Sequence, residues 1–401
     1  MVKCFNTICC LIQVPLSKRD YVRFGIETFI KKGYEVFVLD LTTLLTPGYV
    51  ENYQILESSN FAGIVQIKDK NQFDDFFKYR KNCFVIDFIH GNPWNVFIYQ
   101  TFWKYNIPYG GLRGVYFELE GVLGVAGLRA CNILRCLFLL KWDKFKNYWN
   151  KKDILLFDLP SFIGRIRPPD ILLIQGLKYD RNYIPKPSKS TKFVLGHTLD
   201  YDLYLEKKND PREVKGDYAV FLDAYSPYHP DRLIIPTEPV DPDHYYKTLN
   251  AFFDWFERKF ETPIVIAAHP RARYDLKPEC FPKRKWYINK TINLVEGAKV
   301  VLVPATTAIS FAVIYEKPII LLTSDANIAE GQGPYMNKLK QLLKKEIINI
   351  DRPEDYEKCE IEIDKKSYDN FCSSYIKVPG SPDLLIWDIM IDAIEKSALK
   401  S

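Results

Sequence analysis

An apolar run over residues 264–268 ends abruptly in His269, Pro270 and Arg271. Such a run is typical of a buried parallel strand, and open α/β sheets bind their ligands outside the carboxyl ends of their strands. An imidazole can hydrogen-bond a phosphate oxygen or donate a proton to it, and Pro270 restricts the turn that aims the ring. We therefore predict that His269 is a catalytic residue and that Pro270 and Arg271 help to bind an anionic ligand.

A second apolar run, 300–303, is followed by hydroxyl groups at Thr306, Thr307 and Ser310. The pattern predicts a helix over 308–315, and the backbone N–H groups of a first helical turn bind phosphate. Because both runs end in polar residues, we expect both ends to meet at one crevice. The three hydroxyl groups are predicted to bind the phosphate of the same ligand.

A third apolar run, 218–222, leads into Asp223, and the following loop carries His229 and Asp231. A carboxylate at a strand end acts as a general base if it reaches the hydroxyl group of an acceptor and if partial burial raises its pKa. The alternative is that Asp223 caps a turn and that His229 packs against its loop. Together with the other two strand ends, the pattern favours a catalytic role for Asp223, with His229 and Asp231 as supporting residues.

His197 and Asp200 follow a further predicted strand that begins at Phe193. They are candidates for binding or supporting an acceptor. A purely structural junction between two domains is an equally good interpretation of this segment.

The His-Pro pair at 269–270, the hydroxyl loop at 306–310 and the upstream Asp223 resemble the motifs of bacterial GT-B glycosyltransferases that use CMP-activated ulosonic acids. This group includes the sialyltransferases of capsule and lipooligosaccharide assembly and the related Kdo transferases. The resemblance covers mainly residues 217–324. Many sialyltransferases have a second acidic residue and a glycine after the base, where this chain has Ala224 and Tyr225.

The resemblance implies that Asp223 is the general base and that His269 contacts the CMP phosphate and assists its departure. Thr306, Thr307 or Ser310 would hold that phosphate. It implies a CMP-sugar as donor substrate, no separate cofactor, and a glycan or lipid-linked glycan of a surface polysaccharide or lipooligosaccharide as acceptor. No paired acidic motif of the kind that binds a divalent cation stands out in a loop, so we predict metal-independent transfer.

The composition excludes several other classes of protein. The formal charge of +5 over 401 residues is too small to indicate general nucleic-acid binding, and no nucleic-acid recognition motif occurs. The nine cysteines form no CxxC pair, which favours reduced thiols in the cytoplasm over disulfides or a zinc site. No run of 18 apolar residues occurs, so no membrane span is predicted.

The order of predicted elements indicates an α/β fold with two Rossmann-like domains that face each other across a cleft, the GT-B arrangement. We predict an N-terminal acceptor domain over 1–190, a junction over 191–216, a nucleotide-sugar domain over 217–378, and a C-terminal helix over 379–401 that crosses back to the first domain. In the first domain, a long helix over 19–32 is expected after the first strand and a stop at Gly33.

Residues 121–149 combine apolar, basic and aromatic side chains. They are consistent with a segment that rests on an anionic membrane surface, although a helix half-buried in the first domain is favoured. We expect a cytoplasmic protein and consider contact with the inner face of the cell membrane as a further hypothesis.

The sequence is also compatible with three alternative functions. A transferase of alditol phosphates from CDP donors is the nearest, because such enzymes also use His-Pro turns. A nucleotide-sugar epimerase is the second, and a non-catalytic nucleotide-binding scaffold is the third.

Overall fold

The computed structural model describes residues 5–47, 59–89, 95–114, 165–179, 185–229 and 239–398. Two of the sequence predictions lie outside these ranges, namely the role of Asp231 and the interpretation of residues 121–149. The described chain forms two all-parallel sheets, each with apolar cores on both faces. The predicted α/β class with two Rossmann-like domains is therefore confirmed.

The first sheet has seven strands in the order β3-β2-β1-β4-β5-β6-β7. Its strands are β1 (Thr7–Ile12), β2 (Glu35–Asp40), β3 (Ile64–Gln66), β4 (Cys83–Asp87), β5 (Tyr109–Arg113), β6 (Ile171–Ile174) and β7 (Lys192–Leu195). Its helices are α1 (Lys18–Arg23), α2 (Ile26–Lys31), α3 (Thr42–Leu45), α4 (Lys70–Tyr79) and α5 (Val96–Tyr105). Central strand β1 is buried along its whole length, as a parallel strand covered on both faces requires.

Gly110 and Gly111 lie within β5. A Cβ atom at Gly110 would lie 2.4 Å from the carbonyl oxygen of Ile171 on β6. A Cβ atom at Gly111 would lie 2.8 Å from the carbonyl oxygen of Asp87. The glycines are thus explained by close packing of backbones within the sheet and not by ligand binding.

The predicted helix over 19–32 is wrong in one respect, because the structure divides it into α1 and α2. Gly25 lies between them with φ of +70°. A Cβ atom there would lie 2.3 Å from the ring of Trp387, which packs directly against this backbone. The predicted stop at Gly33 is confirmed, with φ of +79°.

The second sheet has six strands in the order β10-β9-β8-β11-β12-β13. Its strands are β8 (Ala219–Leu222), β9 (Ile264–Ala268), β10 (Trp286–Ile288), β11 (Val300–Val303), β12 (Ile319–Thr323) and β13 (Ile347–Asn349). The helices around it, preceded by α6 (Leu199–Lys207), are α7 (Pro242–Phe260), α8 (Thr291–Gly297), α9 (Ile309–Ile314), α10 (Asp325–Asn327), α11 (Gly333–Leu343) and α12 (Lys365–Tyr375). Strand β8 lies between β9 and β11, so the ends of these three strands are neighbours.

The last helix, α13 (Ile386–Ala398), returns to the first domain as the crossing-helix prediction requires. Its Ile386, Trp387 and Met390 are buried in the same apolar cluster as Ile8 and Cys10 of β1. The indole N–H of Trp387 also donates to the carbonyl oxygen of Arg23 at 2.9 Å. The C-terminal end of the chain therefore completes the core of the N-terminal domain.

The first sheet ends with β7 and the second begins with β8. Strand β7 pairs with β6, so the first sheet extends beyond the predicted limit at residue 190. Helix α6 then leads to β8 of the second sheet. Within the described ranges, no helix is both long enough and apolar enough to cross a membrane.

Candidate functional site

A cleft of about 1130 Å³ lies between the two domains. The C-terminal domain contributes His269, Pro270 and Arg271 from the turn after β9. It also contributes Thr306 and Thr307 from the loop after β11. The two strand ends that the sequence singled out thus line one cleft, because β9 and β11 flank the same strand, β8.

His269 is held in one orientation by hydrogen bonds on both sides of its turn. Its backbone N–H donates to Asp223 Oδ2 at 3.2 Å, and its ring Nδ1 accepts from the backbone N–H of Arg271 at 3.2 Å. Because Nδ1 accepts, the neutral ring carries its proton on Nε2. The pKa of His269 is lowered to about 3. Burial is the main cause, and the nearby His229, Arg271 and Arg19 lower it further. The ring is therefore a neutral hydrogen-bond donor.

Two other rings lie next to the ring of His269. The centroid of the His229 ring lies 4.8 Å away at an interplanar angle of 64°. The Tyr225 ring is parallel to that of His269 within 7° at 6.4 Å. His229 thus supports His269 by packing, while His229 itself does not line the cleft.

Asp223 lies at the end of β8, as predicted, but it does not line the cleft. The side chain is buried, and it accepts from Tyr225 N–H at 2.8 Å, from His269 N–H at 3.2 Å and from Tyr274 O–H at 2.8 Å. Burial raises the pKa of Asp223 to about 6, although these three donors oppose the rise. Its contacts connect the turns after β8 and β9.

The hydroxyl loop is only partly arranged as the sequence predicted. Helix α9 begins at Ile309, and Thr306 Oγ1 accepts from the backbone N–H of Ala308 at 3.3 Å. Ser310 is buried and does not line the cleft; its hydroxyl donates to the carbonyl oxygen of Thr307 at 2.9 Å. The prediction that Ser310 binds phosphate is therefore not supported by its position, whereas Thr306 and Thr307 remain candidates.

Asp200 lines the cleft near the junction of the two domains, and its side chain is 13% exposed. Its Oδ1 lies 3.4 Å from the guanidinium Nη2 of Arg23 in the first domain, and the hydroxyl group of Ser310 in the second domain lies nearby. Burial raises the pKa of Asp200, and Arg23 and Ser310 oppose that rise. Asp200 is thus a carboxylate in the cleft that joins both domains.

His197, by contrast, belongs to the domain junction and does not line the cleft. The ring is fully buried, with Nδ1 at 3.1 Å from the carbonyl oxygen of Thr198 and Nε2 at 2.8 Å from that of Leu384. Burial lowers its pKa. The structural alternative that the sequence left open is therefore favoured for His197.

The sequence reasoning missed the residues of the N-terminal wall, above all Arg19 and Arg23 of α1. They follow β1 by only a few residues, and Ser17 caps the helix through a hydrogen bond from Asp20 N–H at 3.1 Å. The rule that polar residues at strand ends line the ligand site applies to β1 as well, and it would have found them. Tyr274, which donates to Asp223, carries no comparable signal in the sequence.

No known family model matches this chain, and no curated protein matches it in sequence. Among solved structures, it is similar to a UDP-GlcNAc 2-epimerase from Methanocaldococcus jannaschii in complex with UDP-GlcNAc and UDP, with 12% identity, a TM-score of 0.42, and coverage of 91% of this chain and 98% of that chain. It is also similar to MurG from Acinetobacter baumannii, with 9% identity, a TM-score of 0.41 and coverage of 97% and 94%.

A third similar structure is the spinosyn rhamnosyltransferase SpnG complexed with thymidine diphosphate, with 9% identity, a TM-score of 0.45 and coverage of 98% and 94%. At these identities and scores, the three likenesses concern the general fold alone. The two-domain architecture of this chain rests on its own sheet order, its cleft and its crossing helix.

Proposed function

We propose that this protein is a metal-independent glycosyltransferase that moves an ulosonic acid from a CMP donor to a glycan acceptor. The observation that carries the proposal is the cleft in which the neutral His269, with its proton on Nε2, lies alongside Thr306 and Thr307. These groups donate hydrogen bonds to phosphate oxygens without a metal ion. The acceptor is proposed to be a surface polysaccharide or lipooligosaccharide on the N-terminal side of the cleft, and the protein to be cytoplasmic.

In the proposed reaction, the bond between the anomeric carbon and the phosphate oxygen of CMP breaks as the acceptor oxygen approaches. An oxocarbenium-like centre develops, and negative charge accumulates on the departing phosphate. His269 Nε2–H and the two threonine hydroxyl groups stabilise that charge. A carboxylate takes the proton of the acceptor hydroxyl group as the new glycosidic bond forms.

We propose Asp200 as that carboxylate and Asp223 as a positioning residue. A general base must come within hydrogen-bond reach of the acceptor, and Asp200 lines the cleft whereas Asp223 does not. The pKa of Asp200 is raised by burial, which improves a carboxylate as a base. Asp223 instead accepts the backbone N–H of His269, so it acts through the orientation of that residue.

The test of the donor uses melting curves with CMP, UDP and GDP, followed by release of CMP from a panel of CMP-sugars. By mass action, a ligand at ~100 times its dissociation constant adds ~2.7 kcal/mol to the free energy of unfolding. We expect CMP to raise the melting temperature and the other nucleotides to raise it much less. An equal or larger shift with UDP contradicts the CMP assignment.

The same assay distinguishes the alternative functions. Formation of a phosphodiester from CDP-glycerol or CDP-ribitol identifies an alditol phosphate transferase. Conversion of a nucleotide sugar without acceptor identifies an epimerase. Binding of CMP with no turnover of any donor identifies a nucleotide-binding scaffold.

A further inference from the structure

The N-terminal wall of the cleft presents an arginine to the proposed donor site from the opposite domain. Arg19 of α1 lines the cleft together with His269, Thr306 and Thr307. Its positive charge helps to lower the pKa of His269 and opposes the rise that burial causes in the pKa of Asp200. The guanidinium group therefore lies within electrostatic reach of both residues, although it belongs to the other domain.

Within the described part of the chain, the side chain of Arg19 donates hydrogen bonds only to Asp20. Its Nε and Nη2 donate to the same oxygen of Asp20, at 3.0 and 2.7 Å. Asp20 is buried and also accepts from the hydroxyl group of Ser17 at 2.8 Å. Because a guanidinium has five N–H donors and its side chain is 34% exposed here, the remaining donors are available to a ligand.

The chemistry of the proposed donor places an anion next to its phosphate. In a CMP-activated ulosonic acid, the carboxylate is attached to the anomeric carbon, the same carbon that carries the phosphate oxygen. A donor whose phosphate contacts His269 therefore brings its carboxylate close to that residue. In an aldose donor, the anomeric carbon carries a hydrogen atom where an ulosonic acid carries its carboxylate. Guanidinium groups match carboxylates in geometry and charge, and such charged hydrogen bonds are the stronger ones.

We propose that Arg19 binds the carboxylate of the donor sugar across the cleft and thereby selects ulosonic acids over aldoses. The inference rests on the proposed function, because it presupposes a CMP-activated ulosonic acid. It assigns the sugar specificity of the donor to the N-terminal domain, whereas the nucleotide phosphate is bound by the C-terminal domain.

The experiment is calorimetric titration with two probes, CMP and an unreactive CMP-sialic acid analogue fluorinated beside the anomeric carbon. Three proteins are compared, namely the wild type, Arg19→Gln and the control Arg352→Gln. Arg352 is not among the residues that line the cleft, and it pairs with Asp325 at 2.7 Å. Melting curves monitor folding, and Arg19→Lys, which keeps the charge, serves as the second variant if Arg19→Gln is not folded.

We expect Arg19→Gln to weaken the binding of the analogue about tenfold or more and to change CMP affinity less than about twofold, because a hydrogen bond to a charged group is worth ~1.5–3 kcal/mol. Arg352→Gln should change neither affinity. Arg19→Lys should fall between the wild type and Arg19→Gln.

Three outcomes overturn the proposal. Equal losses of CMP and analogue affinity in Arg19→Gln would mean that Arg19 contacts the phosphate. Unchanged affinity for the analogue would mean that Arg19 contacts no part of the donor; either result leaves the proposed function intact. A wild type that binds neither probe overturns the proposed function together with the carboxylate contact.

Discussion

At the scale of single residues, the proposed phosphate contact depends on the proton of His269 Nε2. We expect His269→Ala to reduce CMP affinity about tenfold or more, because the lost hydrogen bond to a charged group is worth ~1.5–3 kcal/mol. Calorimetric titration of CMP measures the change. The control is His244→Ala, which removes an exposed histidine that pairs with Asp351 at 3.0 Å outside the cleft. If His269 only stabilises its own turn, His269→Ala lowers the melting temperature and leaves CMP affinity unchanged.

The two carboxylates are distinguished by the step that each substitution affects. Asp200→Asn should keep CMP affinity and reduce turnover ~10²–10⁴-fold, as loss of a general base does. Asp223→Asn should reduce CMP affinity. Asp223 accepts three hydrogen bonds, and the N–H₂ group of an amide would face one or more of these donors with donors of its own. Calorimetric titration of CMP and turnover assays are carried out on both single variants. The same measurements are made on a double variant that combines Asp223→Asn with His269→Ala.

If Asp223 acts through His269, the double variant binds CMP no more weakly than the worse of the two single variants. Normal CMP affinity with turnover lost in Asp223→Asn contradicts the positioning role. That result would restore Asp223 to the catalytic role that the sequence predicted for it.

At the scale of elements, the break between α1 and α2 is a packing requirement of the crossing helix α13. Gly25→Ala would place a Cβ atom 2.3 Å from Trp387, at a backbone with φ of +70°. The control is Gly216→Ala, because Gly216 has φ of +86° and no atom within 4 Å of the added Cβ. Both variants bear the cost of a left-handed residue, about 1–2 kcal/mol.

The free energies of unfolding of the two glycine variants should differ only by the cost of the clash with Trp387. Gly25→Ala should lower the free energy of unfolding by about 1–3 kcal/mol more than Gly216→Ala does. Denaturant unfolding of both variants measures the difference. Equal destabilisation would show that the helix break is set by the local backbone and not by the docking of α13.

At the scale of the whole molecule, Asp202 ties the domain junction to the crossing helix. Its Oδ1 accepts the backbone N–H of Ile386 at 2.8 Å, and it lies 3.4 Å from His197 Nδ1. Burial raises the pKa of Asp202 to about 7; Glu206 and Asp388 add to the rise, and the bond from Ile386 opposes it.

A carboxyl group whose pKa is raised on folding stabilises the fold while it is protonated. That contribution is fully present below the unfolded pKa, about 4, and is lost as the pH rises through about 7. Asp202→Asn keeps an acceptor for Ile386 but cannot ionise. We therefore expect the melting temperature of Asp202→Asn, relative to the wild type, to increase between pH 5 and pH 8. A difference that does not change with pH contradicts the assignment.

The sequence alone determined the α/β class and brought the segments that follow β9 and β11 to one edge of the second sheet. Strands β9 and β11 have the bounds that their apolar runs predict, because strands covered on both faces need continuous apolar residues. In a parallel sheet, polar residues after such strands emerge at one edge. His269 and Thr306 therefore line the same cleft without any further information.

Only the tertiary structure decided which of the polar residues reach the cleft. Asp223 follows β8, and its oxygens accept hydrogen bonds from its own turn and from the segment after β9. Ser310 lies within α9, and its hydroxyl group donates to the carbonyl oxygen of Thr307. Arg19 lines the same cleft as His269 from the other domain, although the two residues are about 250 positions apart in sequence. Such placements depend on contacts between distant segments, which a local pattern of residue types does not contain.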